Sequence, residues 1–221
     1  MDLRDRSVVI FDFDGTIADT LPSIVRVAES VLREHGVAEA DLARVPQLVG
    51  PPFPQAFSLV FGMDEDEARE VTRVYRERYA LLGAAGWPAI EGMGELIRDL
   101  DAVGRRLGVA SSKRMPLVRQ GLTDEGLIGH FDVVVGKRSD DELSKAAAIR
   151  EVIESLGVTT EDAVMVGDRR FDVEAAREAG VPCVGVLFGG TADRSELEGA
   201  GACVVAERVD DLRSILLGPR T

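Results

Sequence analysis

Two aspartates spaced two residues apart, Asp12 and Asp14, follow a short apolar segment that reads VVIF. Carboxylates crowded at the end of a buried strand repel one another and are costly to remove from water. Their pairing therefore indicates a bound cation, or chemistry that uses both groups. Gly15 and Thr16 come next, and the backbone N–H groups of a tight Asp-Gly-Thr turn are suited to binding a phosphoryl group.

Further hydroxyl, ammonium and carboxylate groups follow the later apolar segments. Ser111 and Ser112 come after RLGVA, Asp168 comes after DAVMVG with Asp172 four residues further, and Lys145 opens a helical pattern between them. Because ligands bind beyond the carboxyl ends of parallel strands, we expect these groups to converge at one sheet edge. Clustered carboxylates with retained waters suit Mg²⁺, while a hydroxyl and a lysine suit phosphoryl oxygens.

The elements that would position these groups can be read from the apolar pattern. Six short segments rich in β-branched residues are predicted to be strands: residues 7–11, 106–110, 131–135, 162–166, 182–186 and 202–206. From the second segment onward they alternate with amphipathic helical patterns that end at glycines. This arrangement predicts an α/β fold, a Rossmann-like doubly wound parallel sheet with helices on both faces.

A helical stretch between the first two strands interrupts the alternation. Helical patterns cover residues 22–36, 51–62 and 64–83, and no convincing strand lies among them. We interpret residues 18–87 as an inserted α-helical cap domain, and residues 1–17 with 88–221 as the α/β core. No internal repeat is evident.

The two crossings between core and cap are predicted to act as hinges. They comprise residues 17–22 and 86–90. Within the first crossing, Asp19 is expected to be the N-cap of the first cap helix, since a short acidic side chain suits that position.

Composition narrows the possible partners. A formal net charge of −13 over 221 residues argues against nucleic-acid polymers and anionic membranes. The 26 basic residues include only three lysines, Lys113, Lys137 and Lys145, each kept for its compact charge or by chance. Cys183 and Cys203 are expected to be buried free thiols. With no apolar run approaching the length of a membrane span, a cytoplasmic protein is expected.

The segments DFDGT, ASS and GDRRFD, with the isolated Lys145, resemble the four motifs of the haloacid dehalogenase-like phosphohydrolases. The resemblance extends over nearly the whole chain and includes a helical cap after the first motif. It implies a phosphatase in which Asp12 attacks phosphorus and forms an aspartyl-phosphate. Asp14 then serves as general acid toward the leaving oxygen and as general base toward water.

The same resemblance assigns the remaining site residues. Mg²⁺ would be held by the Asp12 carboxylate, the Asp14 backbone carbonyl and Asp168, while Asp172 ligates through water or orients the others. Lys145 and either Ser111 or Ser112 would neutralise the phosphoryl oxygens. The family often has proline after this lysine, whereas alanine follows it here.

Structural alternatives exist for single residues of this set. Ser111 or Ser112 could cap the helix that begins near Met115. Asp168 could cap the following helix, with Asp172 on its solvated face. The Asp12 and Asp14 pair has no comparable structural explanation.

The cap segment indicates the substrate class, and the residue types at a few other positions argue against some related enzymes. LVGPPFPQAF (48–57) resembles the cap segment of phosphoglycolate phosphatases and their relatives that act on nucleotides, which makes Gly50, Pro51 and Pro52 candidates for substrate contact. A helix that begins with proline explains the same residues. Asp14 argues against a dehalogenase, and a cap without lysine argues against a phosphonatase; a phosphoglucomutase-like enzyme stays open.

We therefore predict a Mg²⁺-dependent phosphate monoester hydrolase for a small soluble phosphorylated metabolite, most like phosphoglycolate phosphatase. The first alternative is a 5′-nucleotidase acting on nucleoside monophosphates. The second, of another class, is a catalytically silent regulatory protein that binds a phosphorylated ligand. A monomer or a homodimer is expected.

Overall fold

A computed structural model of the chain describes residues 2–139 and 144–218. Six parallel strands form one sheet in the order β3-β2-β1-β4-β5-β6. They are β1 Val8–Phe11, β2 Arg106–Arg114, β3 Val133–Lys137, β4 Ala163–Gly167, β5 Cys183–Val186 and β6 Val204–Ala206. The predicted doubly wound parallel sheet is confirmed.

Nine α-helices lie within the described residues. The three of the inserted segment are α1 Leu21–Glu34, α2 Gln55–Phe61 and α3 Glu65–Ala80. Those that flank the sheet are α4 Met93–Ala102, α5 Met115–Asp124, α6 Lys145–Leu156, α7 Arg170–Ala179, α8 Arg194–Ala200 and α9 Val209–Leu217. The short helix α8 and a 3₁₀ segment over Glu39–Leu48 have no counterpart in the sequence prediction.

Strand β1 lies at the centre of the sheet and separates two hydrophobic cores. Val9 and Phe11 pack on one side, with α4, α5, α9 and the inserted helices, whereas Val8 and Ile10 pack on the other with α6 and α7. The strand pairs with β2 on one edge and β4 on the other. Because strand order reverses there, the residue after β1 emerges at the switch point where α/β proteins bind ligands.

The inserted segment consists of helices joined by short loops, with no strand between Leu21 and Ala80. Val31 of α1 and Val71 of α3 are fully buried in the same core that contains Phe11. The apolar faces of these helices therefore pack together and continue into the core beneath the sheet edge. A group of aromatic rings lines this junction, with Tyr79 between Tyr75 and Trp87 at centroid distances of 5.5 and 5.7 Å.

The two crossings between sheet and inserted helices pair with one another. The Asp19 N–H donates to the Pro88 carbonyl at 2.8 Å, and the Ile90 N–H donates to the Ile17 carbonyl at 2.9 Å. Helix α1 then begins after Thr20, which makes no side-chain capping hydrogen bond. The predicted N-cap role of Asp19 is therefore wrong, because that residue is held in the paired crossing and the helix starts one residue later.

Strand β2 extends further than predicted. It runs to Arg114 rather than Ala110, and its pairing with β3 shifts register between those two residues. Ser111, Ser112 and Lys113 thus lie in an irregular part of the strand rather than beyond its end. Irregular strand positions of this kind redirect side chains, which is common beside active sites.

The two thiols are free but differ in exposure. Cys183 is buried as predicted, whereas Cys203 is exposed, because it precedes the short edge strand β6. Among the described residues, no helix is long and apolar enough to cross a membrane.

Candidate active site

Three carboxylates meet at the carboxyl edge of the sheet. Asp12 follows β1, Asp168 follows β4 and Asp172 lies in the first turn of α7, and one carboxylate oxygen from each falls within 4.8 Å of the others. All three residues are buried. The second oxygen of Asp172 accepts the backbone N–H of Arg169 at 3.0 Å, which fixes the start of the helix.

Lys145 is the cation at the centre of this cluster. It is the first residue of α6, directly after the N-cap Ser144. Its Nζ lies 2.6 Å from Asp12 Oδ2 and is also paired with Asp172, and its side chain is only 8% exposed. Desolvation lowers the pKa of Lys145, but the two carboxylates outweigh it and raise that pKa above its ordinary value. The lysine therefore stays charged.

One lysine does not balance the negative charge of the three buried carboxylates. Burial raises the pKa of Asp12 to about 6, aided by repulsion from Asp172 and Asp14 and opposed by Lys145. Burial also raises the pKa of Asp168, and repulsion from Asp172 and Asp12 adds to it. Oδ1 of Asp12 is buried and accepts no hydrogen bond from any described residue. These features fit a divalent cation bound among the three carboxylates.

The raised pKa of Asp12 predicts how stability depends on pH without metal. Between its ordinary pKa of 3.8 and about 6 the folded protein binds more protons than the unfolded chain. The stabilisation from this group is therefore fully present below about pH 4 and lost as pH rises through about 6. We expect the free energy of unfolding in EDTA, measured by urea titration, to fall from about pH 5 to about pH 7.

The matched variant for this prediction is Asp12→Asn, which should flatten part of the fall. Added Mg²⁺ should restore the stability of the wild type at neutral pH, since cation binding favours the folded state. A stability that rises over this pH range in EDTA, equally in both proteins, would contradict the assignment.

Two hydroxyl groups orient Asp168. Thr16 Oγ1 donates to one carboxylate oxygen at 3.1 Å, and Thr191 Oγ1 donates to the other. A Cβ at Gly15 would overlap Asp168, so glycine is required for this close packing. The backbone N–H groups of Gly15 and Thr16 donate to the carbonyls of Ala18 and Phe13 within the turn.

The structure therefore places Gly15 and Thr16 as supports for the turn and for Asp168. Neither residue lines the cleft above the carboxylates. Their N–H groups and the threonine hydroxyl have intramolecular acceptors, and their phosphate-binding role stays a prediction. Thr191, in the loop after β5, was not predicted from the sequence.

The Asp14 side chain is not part of the carboxylate cluster and has a different cationic partner. Its Oδ1 accepts from Lys113 Nζ at 2.8 Å, and Lys113 also donates to the hydroxyl of Tyr79 at 3.2 Å. The Tyr79 hydroxyl in turn donates to the carbonyl of Gly86, in the return crossing. Desolvation lowers the pKa of Lys113, but Asp14 and Tyr79 outweigh it and raise that pKa. The sequence singled out Lys113 only for its rarity.

Both candidate serines reach the cleft. Ser111 is buried and its Oγ accepts the backbone N–H of Lys113 at 3.3 Å, whereas Ser112 is half-buried. Each lines the cleft. Helix α5 begins after Arg114, so neither serine is its N-cap.

The cleft lies between the sheet edge and the inserted helices. Asp12, Asp14 and Asp168 line it. The lining also includes mainly apolar side chains and three arginines: Ile24, Leu48, Val49, Phe53, Tyr75, Leu117, Arg76, Arg114 and Arg169. Gly50 and Pro51 line it as predicted candidates for substrate contact, whereas Pro52 lies outside the lining.

Arg169 holds the 48–52 loop against the sheet edge. Its guanidinium donates to the Val49 carbonyl and to Glu196 Oε1 at 2.9 Å, and its side chain is 13% exposed. Gly50, at φ +115°, packs directly on it: an added Cβ would lie 2.9 Å from both Arg169 Nη1 and a ring carbon of Phe171. Arg169 therefore joins the loop that contains Asp168 to the inserted segment.

Gly50→Ala is expected to loosen this contact. We expect a loss of about 1–3 kcal/mol of stability from the strained backbone and the clash, and a KM raised about tenfold. Chemical denaturation and steady-state kinetics measure the two effects. Gly36→Ala is the matched control, because Gly36 has φ +82° but no described heavy atom within 4 Å of its Cβ site. Equal KM values for the two variants would contradict a role for the loop in binding.

The chain resembles known proteins along most of its length. A family model described as haloacid dehalogenase-like hydrolase matches residues 9–186. A 5′-nucleotidase of Pseudomonas aeruginosa is 35% identical over 182 residues, which cover 82% of each chain. A phosphoglycolate phosphatase of Rhodospirillum rubrum is 34% identical over 218 residues, covering 94% of this chain and 88% of the relative.

A further relative is named as a kinase, and a solved structure of a predicted phosphatase has a similar fold. Tyrosine-protein kinase PtkA of Mycobacterium tuberculosis is 36% identical over 213 residues, covering 95% of this chain and 72% of the kinase. The crystal structure of a predicted phosphatase from Clostridium acetobutylicum superposes with a TM-score of 0.89 at 32% identity, covering 95% and 97% of the two chains.

Proposed function

The chain belongs to the haloacid dehalogenase-like hydrolases and is a phosphatase, and from that premise we propose that it hydrolyses small phosphate monoesters with Mg²⁺ through an aspartyl-phosphate on Asp12. The observation that carries this proposal is the meeting of Asp12, Asp168, Asp172 and Lys145 at the switch point of the sheet. A buried cluster of this composition matches the charge of a phosphoryl group bound together with a divalent cation.

Asp12 is the nucleophile of the proposed reaction. Its Oδ2 is paired with Lys145, while Oδ1 is buried without a hydrogen-bond donor among the described residues. Attack of a carboxylate oxygen on phosphorus forms the acyl phosphate and releases the alcohol of the ester. Lys145 and the hydroxyl of Ser111 or Ser112 stabilise the charge on the phosphoryl oxygens during the transfer.

Asp14 moves the protons. It lines the cleft and pairs with Lys113, apart from the three clustered carboxylates, so we assign it to the leaving oxygen rather than to the attacked phosphorus. It donates a proton to that oxygen in the first step. In the second step it removes a proton from the water that hydrolyses the aspartyl-phosphate, which regenerates the free carboxylate of Asp12.

Mg²⁺ is the cation that we propose for the cluster. The carboxylates of Asp12 and Asp168 would hold it, with Asp172 beside them, and the backbone carbonyl of Asp14 would supply a further oxygen ligand. When bound, the ion neutralises phosphoryl oxygens and the repulsion among the carboxylates. Thr16 and Thr191 keep Asp168 in its orientation, as their hydrogen bonds to both of its oxygens indicate.

The inserted helices act as a cap that covers the reacting groups. Two polar contacts join cap and core near the carboxylates, Arg169 to Val49 and Lys113 to Tyr79. Closing the cleft excludes bulk water during attack on phosphorus, and opening releases the product alcohol. The paired crossings near Ile17 and Ile90 are the proposed hinge.

Two substrate classes are supported by relatives. The phosphoglycolate phosphatase of R. rubrum matches 94% of this chain, and the 5′-nucleotidase of P. aeruginosa matches 82%. We favour a phosphoglycolate-like ester, with a nucleoside monophosphate as the alternative. The partner of the protein is accordingly a small soluble metabolite, and an acidic chain of net charge −13 relies on the local cations of the cleft to attract it.

Phosphate release from an aryl phosphate, with Mg²⁺ and with EDTA, tests the proposed reaction. We expect turnover that requires the ion, and any protein-bound phosphate trapped by acid quenching should be released by base or hydroxylamine, because both cleave acyl phosphates. A screen of phosphoglycolate, nucleoside monophosphates, sugar phosphates and phosphotyrosine then ranks the substrate classes. The proposal fails if none of these esters releases phosphate in the presence of Mg²⁺.

A further inference from the structure

Lys113 makes contacts that the phosphoryl chemistry does not require. Its side chain is 8% exposed, yet the residue lines the cleft. Nζ lies 2.8 Å from Asp14 Oδ1 and 3.2 Å from the Tyr79 hydroxyl. The lysine that serves the phosphoryl site is Lys145, which pairs with different carboxylates. Lys113 is thus a buried ammonium group that lines the cleft beside Asp14, separate from Lys145.

The roles of the two aspartates define where Lys113 would lie relative to a bound ester. Phosphorus has to lie at Asp12, and the ester oxygen has to lie within hydrogen-bonding distance of Asp14. The remainder of the leaving group continues from that oxygen into the cleft. Because Lys113 is paired with Asp14, we expect the first atoms beyond the ester oxygen to pass close to its Nζ.

The aromatic surroundings of Lys113 favour binding of a negatively charged group over a neutral one. Nζ lies 4.4 Å from the Tyr79 ring centroid and 5.8 Å from that of Phe13. Aromatic walls exclude water, and an ion pair formed there is stronger than one on the surface. Tyr79 donates its own hydroxyl proton to Gly86, so its oxygen accepts from Lys113 and fixes the direction of the ammonium.

The choice of lysine also agrees with a compact binding site. The chain has 26 basic residues, of which three are lysines, so arginine is the usual cation of this protein. A lysine presents a point charge that fits between two rings, whereas a planar guanidinium needs a wider space. Asp14 partners this charge in the structure, and it is the group that must turn toward the ester oxygen during the reaction.

We propose that Lys113, held by Tyr79, forms a subsite for a carboxylate that the leaving group carries next to its ester oxygen. The substrate class is then the phosphate esters of small 2-hydroxy acids, and a nucleoside monophosphate has no charge at that point. This inference rests on the proposed phosphatase function. It adds a residue that selects the leaving group. The hydrolysis itself requires only Asp14 at the leaving oxygen.

A matched pair of esters tests the subsite. 2-Phosphoglycolate and 2-hydroxyethyl phosphate have the same length, but the second has a hydroxymethyl group in place of the carboxylate. We expect the wild type to prefer the carboxylate ester, and Lys113→Met to lower kcat/KM for it about 100-fold but for the neutral ester less than about fivefold. Lys113→Arg should restore part of the preference, and Tyr79→Phe should weaken it.

The control is Arg119→Met, which removes an exposed cation from neighbouring helix α5 and should change neither ester. Circular dichroism and thermal melts establish that the variants fold. An equal loss on both esters would show that Lys113 acts only by positioning Asp14, and the subsite would be wrong. No loss on either ester, or a wild type without preference, would also overturn it.

A binding measurement keeps this test separate from the test of the phosphatase. Titration calorimetry with glycolate, the product alcohol, against ethylene glycol needs no turnover. We expect glycolate to bind the wild type at least about tenfold more tightly than Lys113→Met in the presence of Mg²⁺ and inorganic phosphate. If no ester is hydrolysed, the proposed function fails, whereas glycolate binding that does not depend on Lys113 overturns the subsite alone.

Discussion

Asp12→Asn should abolish turnover and leave the fold intact. We expect kcat to fall by at least about 10⁴-fold with every phosphate ester, because an amide cannot attack phosphorus and no aspartyl-phosphate forms. Phosphate release and trapping of the acyl phosphate with hydroxylamine measure the loss. The amide is close in size to the carboxylate, so packing around β1 should be unchanged.

The same substitution, which removes activity, should not lower stability. In EDTA the variant should melt at the same temperature as the wild type or higher, because one of three crowded carboxylates is gone. The rise in melting temperature that Mg²⁺ gives the wild type should shrink in the variant. Asp19→Asn, an exposed position in the crossing, is the matched control and should change neither property. Substantial residual activity in Asp12→Asn would show that the nucleophile is misassigned.

Lys145→Met should impair both activity and folding. The lysine is paired with Asp12 and Asp172, and removal of one partner from a buried ion pair leaves uncompensated charge. We expect a loss of about 3 kcal/mol in the free energy of unfolding in EDTA. We also expect kcat/KM to fall about 10³-fold, because the phosphoryl oxygens lose a buried cation in the transition state.

Metal affinity separates the two roles of Lys145. With its ammonium gone, the carboxylates repel one another more and should bind Mg²⁺ more tightly by titration calorimetry, and the ion should recover part of the lost stability. Arg150→Met is the matched control, since its ion pair with Glu178 lies on the exposed side of the same helix and contributes less than about 1 kcal/mol. Weaker Mg²⁺ binding by Lys145→Met would contradict the placement of the ammonium beside the metal site.

The architecture could be predicted from the sequence because its signals are local. Apolar strand segments and helical periods determine a parallel sheet, and strand polarity brings Asp12, Asp168 and Lys145 to one edge whatever the details of packing. Strand ends were less predictable. β2 continues through an irregular stretch to Arg114, and a register shift of this kind depends on the neighbouring strand β3.

Residues that act across long distances in sequence could not be predicted in the same way. Thr191 reaches Asp168, Tyr79 reaches Lys113 and Arg169 reaches Val49 only after the loops and the cap have folded. No periodicity or motif marks such contacts. The rarity of lysine was the one sequence signal that pointed to any of them, and it indicated Lys113 without indicating its partners.

The antiparallel pairing of the two crossings has a consequence for how such a protein can diversify. Asp19 bonds to Pro88 and Ile90 bonds to Ile17, so the chain leaves the sheet and returns to it at one point. A segment inserted there can be shortened, lengthened or replaced without changing the register of β1 and β2. The inserted helices can therefore evolve separately from the residues that handle the phosphoryl group, and a graft exchanged at this junction would be expected to alter selectivity, because it replaces the Tyr79 that holds Lys113, while the core chemistry persists.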